Sequence, residues 1–180
     1  MADQAVGPQR RLAARPGALR PHRRLTIRPG ALRAPGAAVW TAAGLSLVAA
    51  WIHFAYTETH WADWWAYGVF FLGTGIFQAV SVPVILRWPR NTWAALAVVA
   101  GNLAVVQMYV YSRTTGVPMG PHAGVVERTG AVDLATTASE IALVALMLTI
   151  VGSTSRRIIV NLLLLVGIGL WLLRLTNLLA

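Results

Sequence analysis

His53 and His60 stand seven residues apart in the stretch WIHFAYTETHWAD, Trp51 to Asp63, and Asp133 and Glu140 repeat that spacing later in the chain. Seven residues are two helical turns, so each pair lies along one face of a helix. Imidazoles facing carboxylates have three chemical uses. They coordinate a divalent transition metal such as zinc, copper or iron. They relay protons, because an imidazole changes charge near neutral pH. Or they hydrogen-bond and lock two helices together, at about 0.6 kcal/mol per pair inside a membrane. The chain has no HExxH or other short metal motif, so the spacing leaves all three uses open. On this reading His53, His60 and Glu140 are the metal-ligand candidates. No catalytic residue is assigned: Ser139 adjoins Glu140, but neighbours on a helix point about 100° apart, too far for direct activation.

The elements that carry these residues belong to a membrane protein. Hydrophobic residues make up 57% of the 180 and charged residues 12%, about half the charge of a soluble domain. The mean hydropathy is +0.61. Absence of cysteine removes disulfides, thiolate metal sites and cysteine nucleophiles. Residues 1–36 differ in kind, with eight arginines, five prolines and four glycines against one acid, Asp3. That composition buries too little apolar surface to fold, and predicts a disordered tail. The hexapeptide RPGALR occurs in it twice, at Arg15 to Arg20 and Arg28 to Arg33. The tail reads as a topology signal with affinity for anionic lipid headgroups. It lacks the interleaved aromatics of a nucleic-acid arm, and nucleic acid is not an expected partner.

Residues 37–180 form the expected membrane domain, an all-α bundle of five transmembrane helices. Five hydrophobic runs, about 37–56, 65–86, 92–111, 134–151 and 158–179, each approach the roughly 20 residues that a span requires. Pro83 should kink or fray the second. Arg174 interrupts the fifth, which makes a buried or tilted fifth helix the alternative. With the N-terminus inside, the tail, Arg87 and Arg90, and Arg156 and Arg157 place twelve of the fifteen arginines on the cytoplasmic side. The positive-inside rule therefore predicts a plasma-membrane protein with a cytoplasmic N-terminus and an external C-terminus. Trp61, Trp64 and Trp65 then form an outer aromatic belt, and Trp40, Trp88 and Trp93 an inner one.

That topology gathers His53, Glu58, His60, Asp63, Arg113, His122, Glu127, Arg128, Asp133 and Glu140 in the outer half. The first helix runs outward and the fourth inward, so His53 and Glu140 are the deep members. An ionised carboxylate at that depth costs several kcal/mol unless paired, hydrated or protonated, which makes His53 the expected partner of Glu140. The 22 residues from Ser112 to Asp133 contain four glycines and two prolines, enough to preclude a long helix. They are apolar enough to fold back as a lid over the outer opening. Arg113, His122 and Asp133 are the candidate cofactor- or ligand-binding residues there, Arg113 through its planar fork. Gln78, Asn102 and Gln107 are expected to be packing glue between helices.

The outward histidine pair, GVFFLGTGIFQ from Gly68 to Gln78, and YSRTTGVPMGP running into ERTGAVDLATTASE together resemble multi-pass membrane proteins of high-GC bacteria. The resemblance covers roughly residues 40–150. It implies that these stretches form one unit and brings no established activity with it. The expected function is non-enzymatic: a binding or accessory subunit, alone or with other membrane subunits, for a metal ion, a proton or a small ligand. The alternatives are a metal-dependent hydrolase or oxidoreductase and a purely structural subunit of a membrane complex.

Overall fold

The computed structural model describes residues 36–175. The expectations for the basic tail, and for the side chain of Arg174, lie outside the described residues. Five helices make up the described chain: α1 Ala37–Asp63, α2 Trp65–Arg87, α3 Thr92–Thr114, α4 Ala131–Ile150 and α5 Ser153–Leu175. No strand occurs among the described residues, and all five helices are long and apolar enough to cross a membrane.

The helices outrun the hydrophobic runs that announce them, for identifiable reasons. The apolar run of α1 ends near 56 but the helix continues to Asp63, so His53 and His60 do belong to one helix; along the extension Thr57 Oγ1 donates to the His53 carbonyl at 2.8 Å and His60 Nδ1 to the Tyr56 carbonyl at 3.0 Å. At 1.5 Å per residue its 27 residues span about 40 Å, more than the ~30 Å hydrocarbon core. A single extended residue, Trp64, turns the chain into α2. α2 continues through Pro83 to Arg87. Asn91 caps α3, its side chain accepting from the amides of Trp93 and Ala94, both at 3.0 Å. α4 starts at Ala131 rather than 134, since Asp133 Oδ2 accepts the Gly130 amide at 3.0 Å and so secures the first turn. α5 likewise begins at Ser153, ahead of the expected 158.

α1 packs most extensively against α2 and then α4, and α3 against α4. Close approach of α1 and α2 requires Gly75, where a Cβ would stand 2.7 Å from the Phe54 ring. α5 is the outlier, touching chiefly α3 near its start, where Thr92 Oγ1 and Ser155 Oγ are 2.7 Å apart.

Burial divides α1 to α4 into tiers along the bundle axis. At the end holding the N-termini of α1 and α3, an apolar cluster includes Ala42, Ile85, Val98, Leu143, Met147 and Ile159. Above it lies a buried polar layer of Ser46, Gln78, Asn102 and Glu140, one residue from each helix, with His53 two turns beyond Ser46. Past that layer the helices part around a cavity.

Candidate functional site

The polar layer centres on Gln78. Its Nε2 donates to Glu140 Oε1 at 2.8 Å and lies 3.4 Å from Asn102 Oδ1, while its backbone carbonyl accepts from Ser46 Oγ at 2.7 Å. Asn102 in turn donates from Nδ2 to the Val98 carbonyl at 2.8 Å. One glutamine therefore ties α1, α2, α3 and α4 together. The side chains are fully enclosed, Gln78 and Asn102 at 0% exposure and Glu140 at 1%, so each bond is made where water does not compete for it.

His53 and Glu140 do share a layer, as their depths predict. His53 Nε2 stands 4.0 Å from Glu140 Oε1, beyond hydrogen-bonding range. The other ring nitrogen, Nδ1, is 2.9 Å from the Ala49 carbonyl. A carbonyl only accepts, so Nδ1 carries a proton; in the neutral ring Nε2 then presents its lone pair toward Glu140.

Above this floor is a cavity of about 350 Å³ whose lining includes His53, His60, Glu140, Phe71, Tyr109 and Met119. Its walls are mainly apolar and aromatic. Phe71 separates the two histidines, its ring centroid 5.5 Å from that of His53 and 3.7 Å from the stacked ring of His60. The α3–α4 loop forms the roof, as expected of a lid: Val117, Pro118, Met119 and His122 all line the cavity. Tyr67 Oη donates to the Met119 carbonyl at 2.9 Å, and the loop closes on itself through Gly124 N to the Val117 carbonyl at 2.9 Å. Gly120 adopts φ +94° and lies against Tyr67 and Trp64, a position that tolerates neither a side chain's conformational preference nor its bulk.

Arg113 fastens that roof to the bundle. Its guanidinium bonds Asp133 Oδ2 at 2.7 Å and also Glu127, and lies 5.1 Å from the Tyr109 ring centroid. The Glu127 amide donates to the Ser112 carbonyl at 3.0 Å, closing the loop beside the same residue. Arg113 thus pairs with Asp133 and Glu127 and not with Glu140.

The expected three-ligand metal set is not assembled. Among the described residues no three histidine, aspartate or glutamate side chains gather as metal ligands. His60 is held off by its stack on Phe71 and by its bond to the Tyr56 carbonyl. His122 is exposed on the lid. The hydroxyl of Ser139 donates to the Thr136 carbonyl at 2.7 Å. Gln78, expected as glue between helices, does bond across them and is the hub of the polar layer, while Glu127 gains a role the sequence did not assign, as a partner of Arg113. A glutamine in an apolar run at the depth of Glu140 is the signal that pointed to the first. Comparison with protein-family models, curated proteins and solved structures finds no match to this chain.

Proposed function

We propose that this chain is a multi-pass membrane protein whose non-enzymatic task is to bind a small, largely apolar ligand between α1 to α4, under the α3–α4 loop. One observation carries the reading: a cavity of about 350 Å³ with aromatic and aliphatic walls, a roof secured by Arg113, and a polar floor of His53 and Glu140. Its size falls in the roughly 300 to 1,000 Å³ range of small-molecule sites, and the few convergent polar groups against apolar walls are the usual division between orientation and affinity. A pure helix lock would need no such space above the polar layer. In the orientation favoured by the arginines, the cavity opens toward the external face.

The test is to fill the cavity from its side. Thr136 is 8% exposed and lines it, so Thr136→Trp places an indole in the ligand's volume. Native mass spectrometry of protein purified in mild detergent should find a bound small molecule on the wild type and none on Thr136→Trp. A wild type that retains nothing, and gains no thermal stability from any member of a small-molecule panel, would overturn the binding function.

A further inference from the structure

We infer that the ligand of this cavity is a small organic cation, an ammonium head on an apolar body, with the ammonium seated between His53 Nε2 and Glu140. The inference rests on the binding function proposed above and concerns the chemistry of that same site.

With Glu140 ionised, the floor's donors, Gln78 Nε2, Asn102 Nδ2 and Ser46 Oγ, are already engaged. His53 spends its one N–H on the Ala49 carbonyl, leaving Nε2 an acceptor. Glu140 receives a single donor, Gln78 Nε2, although a carboxylate accepts several. Gln78 Oε1, on the same enclosed amide, is buried with no hydrogen-bond partner. With Glu140 ionised, acceptors thus outnumber donors on this floor, and the cavity above it has room for a guest that supplies N–H groups. Arg113, the one arginine lining the cavity among the described residues, serves the roof instead: two of its nitrogens bond Asp133 and Glu127, and its Nε is buried there without a partner.

The 4.0 Å between His53 Nε2 and Glu140 Oε1 distinguishes the candidate donors. Two acceptors held at ~2.8 Å by adjacent arms of one ammonium stand about 4 to 4.6 Å apart, whereas two ligands of a tetrahedral metal at ~2.1 Å stand about 3.4 Å apart. The observed gap lies at the lower end of the ammonium span and beyond that of the metal; a water molecule bridges the same span, and the ammonium takes that water's place while adding the positive charge that an ionised Glu140 attracts. A single proton on Nε2 could not bridge it directly.

The walls and mouth favour the same guest. Phe70, Phe71 and Tyr56 line the cavity, and aromatic faces attract cations within about 6 Å. Acids at the mouth, Asp63, Glu127 and Asp133, outnumber Arg113 there, and a net negative entrance concentrates cations.

The experiment titrates the full-length protein in lipid nanodiscs with 2-phenylethylammonium, with 2-phenylethanol of matching shape, and with zinc ion alone, following binding by calorimetry and melting temperature. The ammonium should bind at least tenfold more tightly than the alcohol. Glu140→Gln should remove that tenfold preference while leaving the alcohol unchanged. Should Glu140→Gln fail to fold, the comparison of the two probes on the wild type still decides. Equal binding of both probes, indifferent to Glu140→Gln, overturns the cation while leaving the binding cavity standing. Zinc that binds more tightly than the ammonium and is lost in both His53→Ala and Glu140→Gln overturns it in favour of a metal. Binding of neither organic probe overturns the cation, and the cavity-filling test on Thr136 then decides separately whether the pocket holds a ligand.

Discussion

Gln78 shows how much one neutral residue can organise. Its amide is the side-chain donor to Glu140 among the described residues, and its carbonyl receives α1 through Ser46. Gln78→Leu keeps roughly the same bulk and leaves the Glu140 carboxylate without that donor, at a cost of ~1 to 3 kcal/mol for a buried group left unsatisfied. Glu140→Gln should cost less on its own, since an amide remains compatible with an amide neighbour. The two changes should be strongly non-additive, with the double mutant less damaged than the sum, and thermal denaturation of the four proteins in one detergent gives the coupling directly. Additive effects would mean that the 2.8 Å contact contributes nothing to the fold. His53→Ala paired with Glu140→Gln should show a weaker coupling, because 4.0 Å separates those atoms. The sequence revealed that His53 and Glu140 share a depth, since spacing and direction of run are enough for that. It did not reveal that a glutamine stands between their roles, because an amide in an apolar helix carries no charge whose burial demands a partner.

At the scale of elements, the four polar residues of the layer and the roof above them are positioned by different means. The floor is set by helix register: Gln78, Asn102 and Glu140 of the layer, and His53 beside Glu140, lie ~9 to 13 residues from the outer ends of their helices, and period and length made that legible. The roof is set by particular side chains, and those were legible only in part. Turn residues showed that the segment after α3 is not helical, while the pairing of Arg113 with Glu127 depends on a loop path that no periodicity encodes. Arg113→Gln should therefore release the roof and spare the helices. Both carboxylate partners are more than a third exposed, at 43% and 40%, so the loss in global stability should be only about 1 kcal/mol. Limited proteolysis between residues 116 and 130 should accelerate severalfold, with helical circular dichroism unchanged. Equal cleavage rates in the two proteins would show that the ion pairs do not hold the loop. Gly120→Val should have the same local effect by a steric route, through its positive φ and its contact with Tyr67.

The molecule as a whole is a bundle of α1 to α4 with α5 attached along one edge. Only 6% of the apolar window of α5 is buried inside the molecule, against 39% for α1, although its hydropathy matches that of a spanning helix. The polar layer and the cavity involve none of it. A chain stopped after Gly152 should therefore keep the fold of α1 to α4 and the cavity, with a lowered melting temperature from losing Ile159, which is 0% exposed, and the Thr92 to Ser155 contact. Orientation follows from charge rather than from packing. Arg87, Arg90, Arg156 and Arg157 flank the membrane end that holds the apolar cluster, and eight arginines precede α1 in the sequence. A short loop with two arginines resists translocation, so this end should be cytoplasmic and the cavity external. A reporter fused at residue 36 should be active only in the cytoplasm, and one fused after Ala180 only outside, because an odd number of spans puts the two ends on opposite faces. Cytoplasmic activity of both fusions would reduce the spans to four and lay α5 along the inner surface. External activity at residue 36 would invert the molecule and turn the cavity toward the cytoplasm.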